Sequence, residues 1–306
     1  DNIPAEQFQL WRNGEEVRLY TSVSSGPLGG TGYIEFWGKM NDGKPDNQLY
    51  LESDYQLADR YSLMTDTVSY FLTVNPAGGN LRFNDAANPS PGSGTPDAYF
   101  MRNIDVYYNN QINRGRAEVV GEYIYSSSFD KGEGWSSNTV AYNYDLTKEF
   151  FNLNAYMAGP ANGLSVRVNA AGVAPNLRNI RIKLFNTDIT AAPYGSPIDM
   201  SLFEYRKVNL TNLPISLLAS NPNYLIMNVG DVSTATPPVA TDRMIVASLG
   251  ITYPATFNFN AQRNFSFNLA PSATGNYLEI TNFNYGTVAP VLYDLTNGVR
   301  YTGDIS

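Results

Sequence analysis

The chain contains no cysteine and no histidine. Without cysteine it has no disulfide framework, no thiolate nucleophile and no thiolate metal site. Without histidine it cannot assemble a Ser-His-Asp triad, a Cys-His pair or an imidazole zinc site. Its stability must come from packed apolar cores. No run of about 18 apolar residues occurs, so no membrane span is predicted. Basic charge is scarce as well. The net charge is −8, divided as −9 over residues 1–149 and +1 over residues 150–306. Neither half makes a basic field, and nucleic acid is not expected as a partner. The acidic half reads as solubilising, with calcium binding by clustered carboxylates as the sharper alternative. There is no signal-peptide pattern and the first residue is Asp1 rather than Met. This fits a processed secreted protein or a piece of a longer one.

What the chain does have is aromatic residues and turn formers, with 22 Tyr, 15 Phe, 25 Gly and 18 Pro. That mixture suits short strands joined by turns. Its 306 residues predict two domains. Gln7-to-Trp11 and Val17-to-Thr21 strands flank Asn13-Gly14, a strong hairpin signal. The stretch from Gly30 to Tyr50 reads as a central strand ending in the turn Asn41-Asp42-Gly43-Lys44-Pro45-Asp46, with Phe36 or Trp37 expected in the first core. Val68 to Val74, Tyr99 to Tyr108 and Val119 to Ser126 are further predicted strands. In the second half, Ile180, Ile182 and Leu184 alternate with Arg181 and Lys183, which marks a strand with one buried face. Tyr205 to Leu210, Tyr224 to Val229 and Arg243 to Tyr253 follow as strands. The predicted fold class is all-β: two tandem, jelly-roll-like β-sandwich domains with little helix, at residues 1–148 and 149–306. Residues 257–306 either complete the second sandwich or open a further β unit.

The stretch GYIEFWGKMNDGKPDNQLY, with YSLMTDTVSYFLTVNP and GEGWSS after it, resembles the non-catalytic region of large secreted gingipain-like cysteine peptidases of Bacteroidota, including sortase-like members of the type IX secretion pathway. The resemblance implies a secreted, cell-surface location on a Gram-negative bacterium. It also implies a non-catalytic accessory or spacer role, with a downstream catalytic domain or a cell-surface protein as the partner. The peptidase dyad of that family is Cys and His, so no catalytic residue carries over to this chain. Two alternatives remain open. One is a carbohydrate-binding module with glycans as partners, from the jelly-roll pattern and tyrosine content. The other is a stand-alone glycoside hydrolase, from the abundance of carboxylates.

Each candidate site has a plain structural reading beside it. Asp42 and Asp46 are the calcium candidates, but only two carboxylates occur in that turn, Lys44 opposes a cation, and no cofactor is otherwise implied. Glu15, Glu16, Glu118, Glu122, Asp130 and Glu133 are carboxylates among which a glycosidase pair would have to be found, and nothing in their spacing pairs any two. Trp11 and Trp37 read as core, whereas Trp135, in a glycine-rich loop, is the tryptophan placed to stack on a sugar. A sheet-face groove lined by exposed Trp or Tyr would mark a sugar binder, and a flat polar face would mark a spacer.

Overall fold

A computed structural model of the chain describes residues 2–89, 94–119, 122–125, 129–186 and 193–305. The fold is nearly all β, with 43% strand and 5% helix. Its sheets are mostly antiparallel, as the short strands and many turns predict. Among the described residues no helix is long and apolar enough to cross a membrane.

The chain forms two compact units, and neither is continuous in sequence. The first comprises Asp1–Asn41, Thr65–Gly94 and Asn284–Ser306, and the second Asp42–Met64 and Thr95–Phe283. The chain therefore passes between them four times.

In the first unit, β1 (Phe8–Arg12) pairs antiparallel with β2 (Glu15–Val17) and with β3 (Tyr70–Val74). The β1–β2 loop is Asn13-Gly14, and both residues have positive φ, 48° and 79°. That is the geometry a two-residue hairpin loop needs, and it is why this sequence pair folds there. Ala5, Leu10, Leu19 and Phe83 are buried apolar residues of this unit. Its last strands, Val291–Asp294 and Val299–Thr302, come from the C-terminal segment, and the latter pairs with Asn84–Asp85.

The second unit is an antiparallel sandwich. One sheet contains β4 (Phe100–Tyr107), β5 (Val140–Ala141), β7 (Leu164–Gly172), β10 (Tyr205–Leu213) and β12 (Arg243–Ala255). Here β12 is central: β7 lies on one side of it, β4 and β5 share the other, and β10 lies beyond β7. The facing sheet runs β6 (Asp145–Phe151), β11 (Tyr224–Ser233), β8 (Arg178–Phe185) and β9 (Tyr194–Asp199). Ile180, Ile182 and Leu184 of β8 are buried between the sheets, together with Leu225, Met227 and Val229 of β11 and Val166 and Val168 of β7. On β12 the inward positions change parity, from Met244 and Val246 to Leu249, Ile251 and Tyr253. A register shift against β7, where Asn169 faces Ser248 and Ala170 faces Val246, produces the change. Without this bulge one half of the strand would turn its apolar side chains to the outside.

Several predicted features change. The stretch Gly30 to Tyr50 is not a long central strand. Only Ile34–Glu35 pairs, with Tyr20–Thr21, and Lys44–Asn47 forms a helical turn. Phe36 is 39% exposed and Trp37 is half-buried, so neither anchors a core. A strand with large residues on both faces needs cover on both, and this segment has no second sheet over it. The boundary expected at Lys148 falls inside β6, whose whole length pairs with β11. Residues 257–306 divide. Phe257 and Phe259 join the sandwich core and Phe265, Phe267 and Phe283 pack against it, whereas Asn284 onward belongs to the first unit. The predicted strand Val119–Ser126 lies partly outside the described residues, and within them Glu122–Tyr125 pairs with Arg116–Val119.

Cutting the chain at Lys148 would split β6, separate β4, β5 and residues 145–148 from their partners on β12 and β11, and part Asn84–Asp85 from Val299–Thr302. Fragments 1–148 and 149–306 are therefore expected to give no cooperative thermal transition by circular dichroism when separate. Recovery of one transition on co-expression is the companion expectation, and a cooperative melt of either fragment alone would contradict this topology.

Candidate functional site

The outer face of the β4–β12–β7–β10 sheet carries the chemistry of the second unit. Strand alternation places polar side chains there in cross-strand rows. One row is Tyr107, Ser248, Asn169 and Lys207; the next is Asp105, Gly250, Arg167 and Asn209; the third is Asn103, Thr252 and Ser165.

Segment 42–64 covers the first row. Leu57 is 1% exposed and packs with Ala58 on Ala171, Ile245 and Ala247, a small apolar cluster on this otherwise polar face. The Leu57 carbonyl accepts hydrogen bonds from Asn169 Nδ2 at 2.9 Å and Ser248 Oγ at 3.3 Å. Gly132 approaches from the other side: its φ is +70°, and an added Cβ would lie 2.9 Å from the Ala171 Cβ. Asp54 accepts from Lys207 Nζ at 2.8 Å and from Tyr205 OH at 2.6 Å. The Lys207 and Tyr205 hydrogen bonds pull the Asp54 carboxyl below the ordinary aspartate value.

The second row is an ion-pair network. Arg167 donates to Asp105 Oδ1 at 3.2 Å, to Asp59 Oδ1 at 3.4 Å, to Tyr107 OH at 2.9 Å and to Ser248 Oγ at 3.3 Å. Arg60 Nη1 reaches Asp105 Oδ2 at 2.9 Å, and Tyr107 OH donates to Asp59 at 2.8 Å. Burial and the Asp59 hydrogen bond raise the Tyr107 pKa, so the phenol stays protonated. Burial works against the Arg167 charge, but Tyr107, Asp59 and Asp105 outweigh it and leave its pKa above the ordinary arginine value.

The third row is open. Two adjoining grooves run over it. One, of about 300 Å³, is lined by Asn103, Ser165, Asn209, Thr211 and Thr252 over Gly250, with Arg60, Asp105 and Arg167 at its charged end. The other, of about 260 Å³, shares Arg60, Asn103 and Asp105 and adds Met101, Ser266, Phe267 and Asn268. Neither lining includes Trp or Tyr.

The residues singled out in the sequence lie elsewhere. Asp46 is buried, and its Oδ2 accepts from Ser62 Oγ at 2.8 Å and Leu63 N at 2.7 Å, tying the two ends of segment 42–64 together. Asp42 caps Lys44 N at 3.3 Å and lies 3.9 Å from the Lys44 ammonium. Among the described residues no three metal-ligating carboxylates, histidines or cysteines gather. Trp135 sits on the strand Gly134–Ser136, half-buried, edge-on to Tyr61 at 6.4 Å, with Nε1 donating to the Ser62 carbonyl at 3.1 Å. It packs against segment 42–64. Glu16 accepts from Leu81 N, Glu133 accepts from Asp130 N, and Glu118 and Glu122 lie on one hairpin. Glu15, Glu16, Glu122, Asp130 and Glu133 are not among the residues that line the grooves.

A second charged cluster is buried inside the sandwich, on β8, β11 and the approach to β12. Arg178, Asp231 and Asp242 are each at most 1% exposed. Arg178 donates to Asp242 Oδ1 through Nη2 at 2.6 Å and Nε at 2.9 Å, and to the carbonyls of Ala174, Met200 and Leu202. Asp231 stands 3.5 Å from Arg178 Nε, and neither of its oxygens has a hydrogen-bond partner among the described residues. One guanidinium thus faces two carboxylates. Burial first, and the neighbouring Asp242 second, push the Asp231 carboxyl up to about 7.

No protein-family model and no curated protein matches the chain. Among solved structures it is similar to dimeric latent PorU from Porphyromonas gingivalis, with TM-score 0.46 and 10% identity. The similarity covers 83% of this chain and 22% of that one, so the chain spans about a fifth of that protein. The relationship is distant and structural.

Two expected outcomes follow from this geometry. Leu57→Ala removes the anchor of segment 42–64 and should cost roughly 2–5 kcal/mol in denaturant unfolding; a change below about 0.5 kcal/mol would show that the segment does not depend on it. For Asp231, the folded-state pKa lies above the unfolded value of 3.8. Its ionisation therefore penalises the folded state progressively from about pH 4 to pH 7, and fully above that. Asp231→Asn should melt higher than wild type at pH 8, with the gap closing towards pH 5. A gap that stays constant or widens on acidification would contradict the shift.

Proposed function

We propose that this chain is a non-catalytic accessory region of a secreted, cell-surface protein of the gingipain-like, type IX secretion class, where it supports or positions a catalytic domain or a protein partner. The observation that carries the reading is the use made of charge on the open sheet face. Asp105 is held by Arg60 and Arg167, and Asp59 by Arg167 and Tyr107. General acid–base work on a glycoside needs two carboxylates about 5–10 Å apart with the scissile bond between them. Here the carboxylates instead pin segment 42–64 to the sheet. The composition supports the same reading, since the thiolate and imidazole of a cysteine peptidase have no source in this chain. The motifs GYIEFWGKMNDGKPDNQLY, YSLMTDTVSYFLTVNP and GEGWSS add the family context.

The test is turnover by the purified chain on peptide substrates with Arg or Lys at the cleaved bond and on neutral polysaccharides. The expected result is none. Cleavage that survives repurification and disappears in Asp105→Asn would overturn the reading.

A further inference from the structure

We infer that the free edge of β3 is a self-association surface, where a second copy of this chain adds its own β3 antiparallel about a two-fold axis at Leu72. This goes beyond the accessory reading and does not depend on it. The inference starts from the exposure of the strand. β3 ends its sheet: β1 pairs on one side, and among the described residues no strand pairs on the other. Phe71 is 62% exposed, Leu72 51% and Val74 44%. From Val68 to Asn75 the chain holds no charged residue. Folded proteins normally guard such an edge with charge, proline, a bulge or a covering segment. None is built into β3, whose register with β1 is unbroken from Tyr70 to Val74.

Hydrogen-bond parity tells which backbone groups face outward. Asn75 N donates to the Gln7 carbonyl at 2.8 Å. Hydrogen-bonded pairs alternate along an antiparallel ladder, so Thr73 and Phe71 also turn their N–H and C=O groups to β1. Tyr70, Leu72 and Val74 turn theirs to the free edge. That set is symmetric about Leu72. A second β3 laid antiparallel, with Leu72 opposite Leu72, pairs Tyr70 with Val74 and engages every outward N–H and C=O of the three residues.

The side chains match in the same register, which is what selects a second copy as the occupant. Phe71 of one copy faces Thr73 of the other, and Tyr70 faces Val74. These set aromatic against β-branched residues, a favourable cross-strand combination. On one face Val17, Leu10 and Leu72 already form a row across β2, β1 and β3. The two-fold axis continues that apolar row through the same three residues of the second copy. Charge agrees. Arg12 is opposite Tyr70, Lys39 N donates to the Tyr70 hydroxyl, and Asp66 lies further out at this end of β3. Glu6 adjoins Gln7 at the other end. Antiparallel pairing sets the basic end of one copy against the acidic end of the other. Strands of five residues bury less than the roughly 1,200 Å² of a stable specific interface, so the dimer is of the weak, reversible class. Its Kd is expected between about 10 μM and about 1 mM.

The test is sedimentation of the intact chain across that concentration range, where the mass should rise towards two copies. Leu72→Lys and Leu72→Glu each place like charges opposite one another at the two-fold axis. Each should keep a melting temperature near that of wild type and weaken association at least tenfold. Mixed in equal amounts, the two variants should pair again, because opposite charges then meet; a structural defect would give no such rescue. Hydrogen exchange on the unaltered chain reads the same contact without a variant. The amides of Tyr70, Leu72 and Val74 should gain protection as concentration rises, whereas those of Phe71 and Thr73, already turned to β1, should not. A chain that stays monomeric, or exchange at the three outward amides that ignores concentration, would overturn the proposal. So would association that both folded variants leave unchanged, or a mixture of them that fails to pair. None of these results bears on the accessory role, which is tested by turnover.

Discussion

The docking of Leu57 on the sheet face is the contact on which the arrangement of the second unit turns. A polar, strand-alternating surface normally faces water. Here one patch of it, made by Ala171, Ile245 and Ala247, is apolar and is covered by Leu57 and Ala58. Covering it also buries a backbone carbonyl, which would be costly if unpaired. Asn169 and Ser248 satisfy that carbonyl from the sheet. The buried leucine, the small residues beneath it and the two polar donors must therefore be present together. Asp46, bonded to Ser62 and Leu63, holds the segment's two ends in the shape that presents Leu57.

From that contact the charge distribution follows. Once segment 42–64 lies along the first row, Asp59 and Arg60 come to the edge of the second and complete the network around Arg167 and Asp105. The third row stays uncovered because the segment turns away after Arg60. The same stretch of chain therefore both closes one end of the sheet face and defines the groove at the other. It also explains why the first unit is interrupted in sequence: residues 42–64 leave it to serve the second.

Much of the sandwich was legible in the sequence. Alternation at Ile180, Ile182 and Leu184 identified a strand with one buried face, and in the first unit the Asn13-Gly14 pair identified a hairpin, because both signals are local. The discontinuous units were not legible. The segment near Lys148 is an edge strand, β6, with Thr147, Glu149 and Phe151 turned outward, and an edge strand can look like a linker. The Gly30-to-Tyr50 stretch misled for the opposite reason: its large residues fit a strand with two covered faces, and nothing local says that the cover is missing. The ionic network joins Asp59 to Arg167 across 108 positions, and the groove needs Asn103, Ser165 and Asn209 from three strands, so no sequence window contained either. Trp135 lies on a strand rather than in the loop expected for it, and its neighbours Tyr61 and Ser62 are far away in sequence, so no local signal showed what it packs against.

The central claim is that segment 42–64 is an integral layer of the second unit rather than a surface loop. Native-state hydrogen exchange tests this most directly, because amides that open only with a cooperative unit share its opening free energy. The account predicts that the amides of Asp46, Tyr61 and Leu63, which are hydrogen-bonded within the segment or donate to Asp46 itself, exchange with an opening free energy close to that of β7 and β12. Exchange of these amides at rates typical of open loops, while β7 and β12 remain protected, would contradict it.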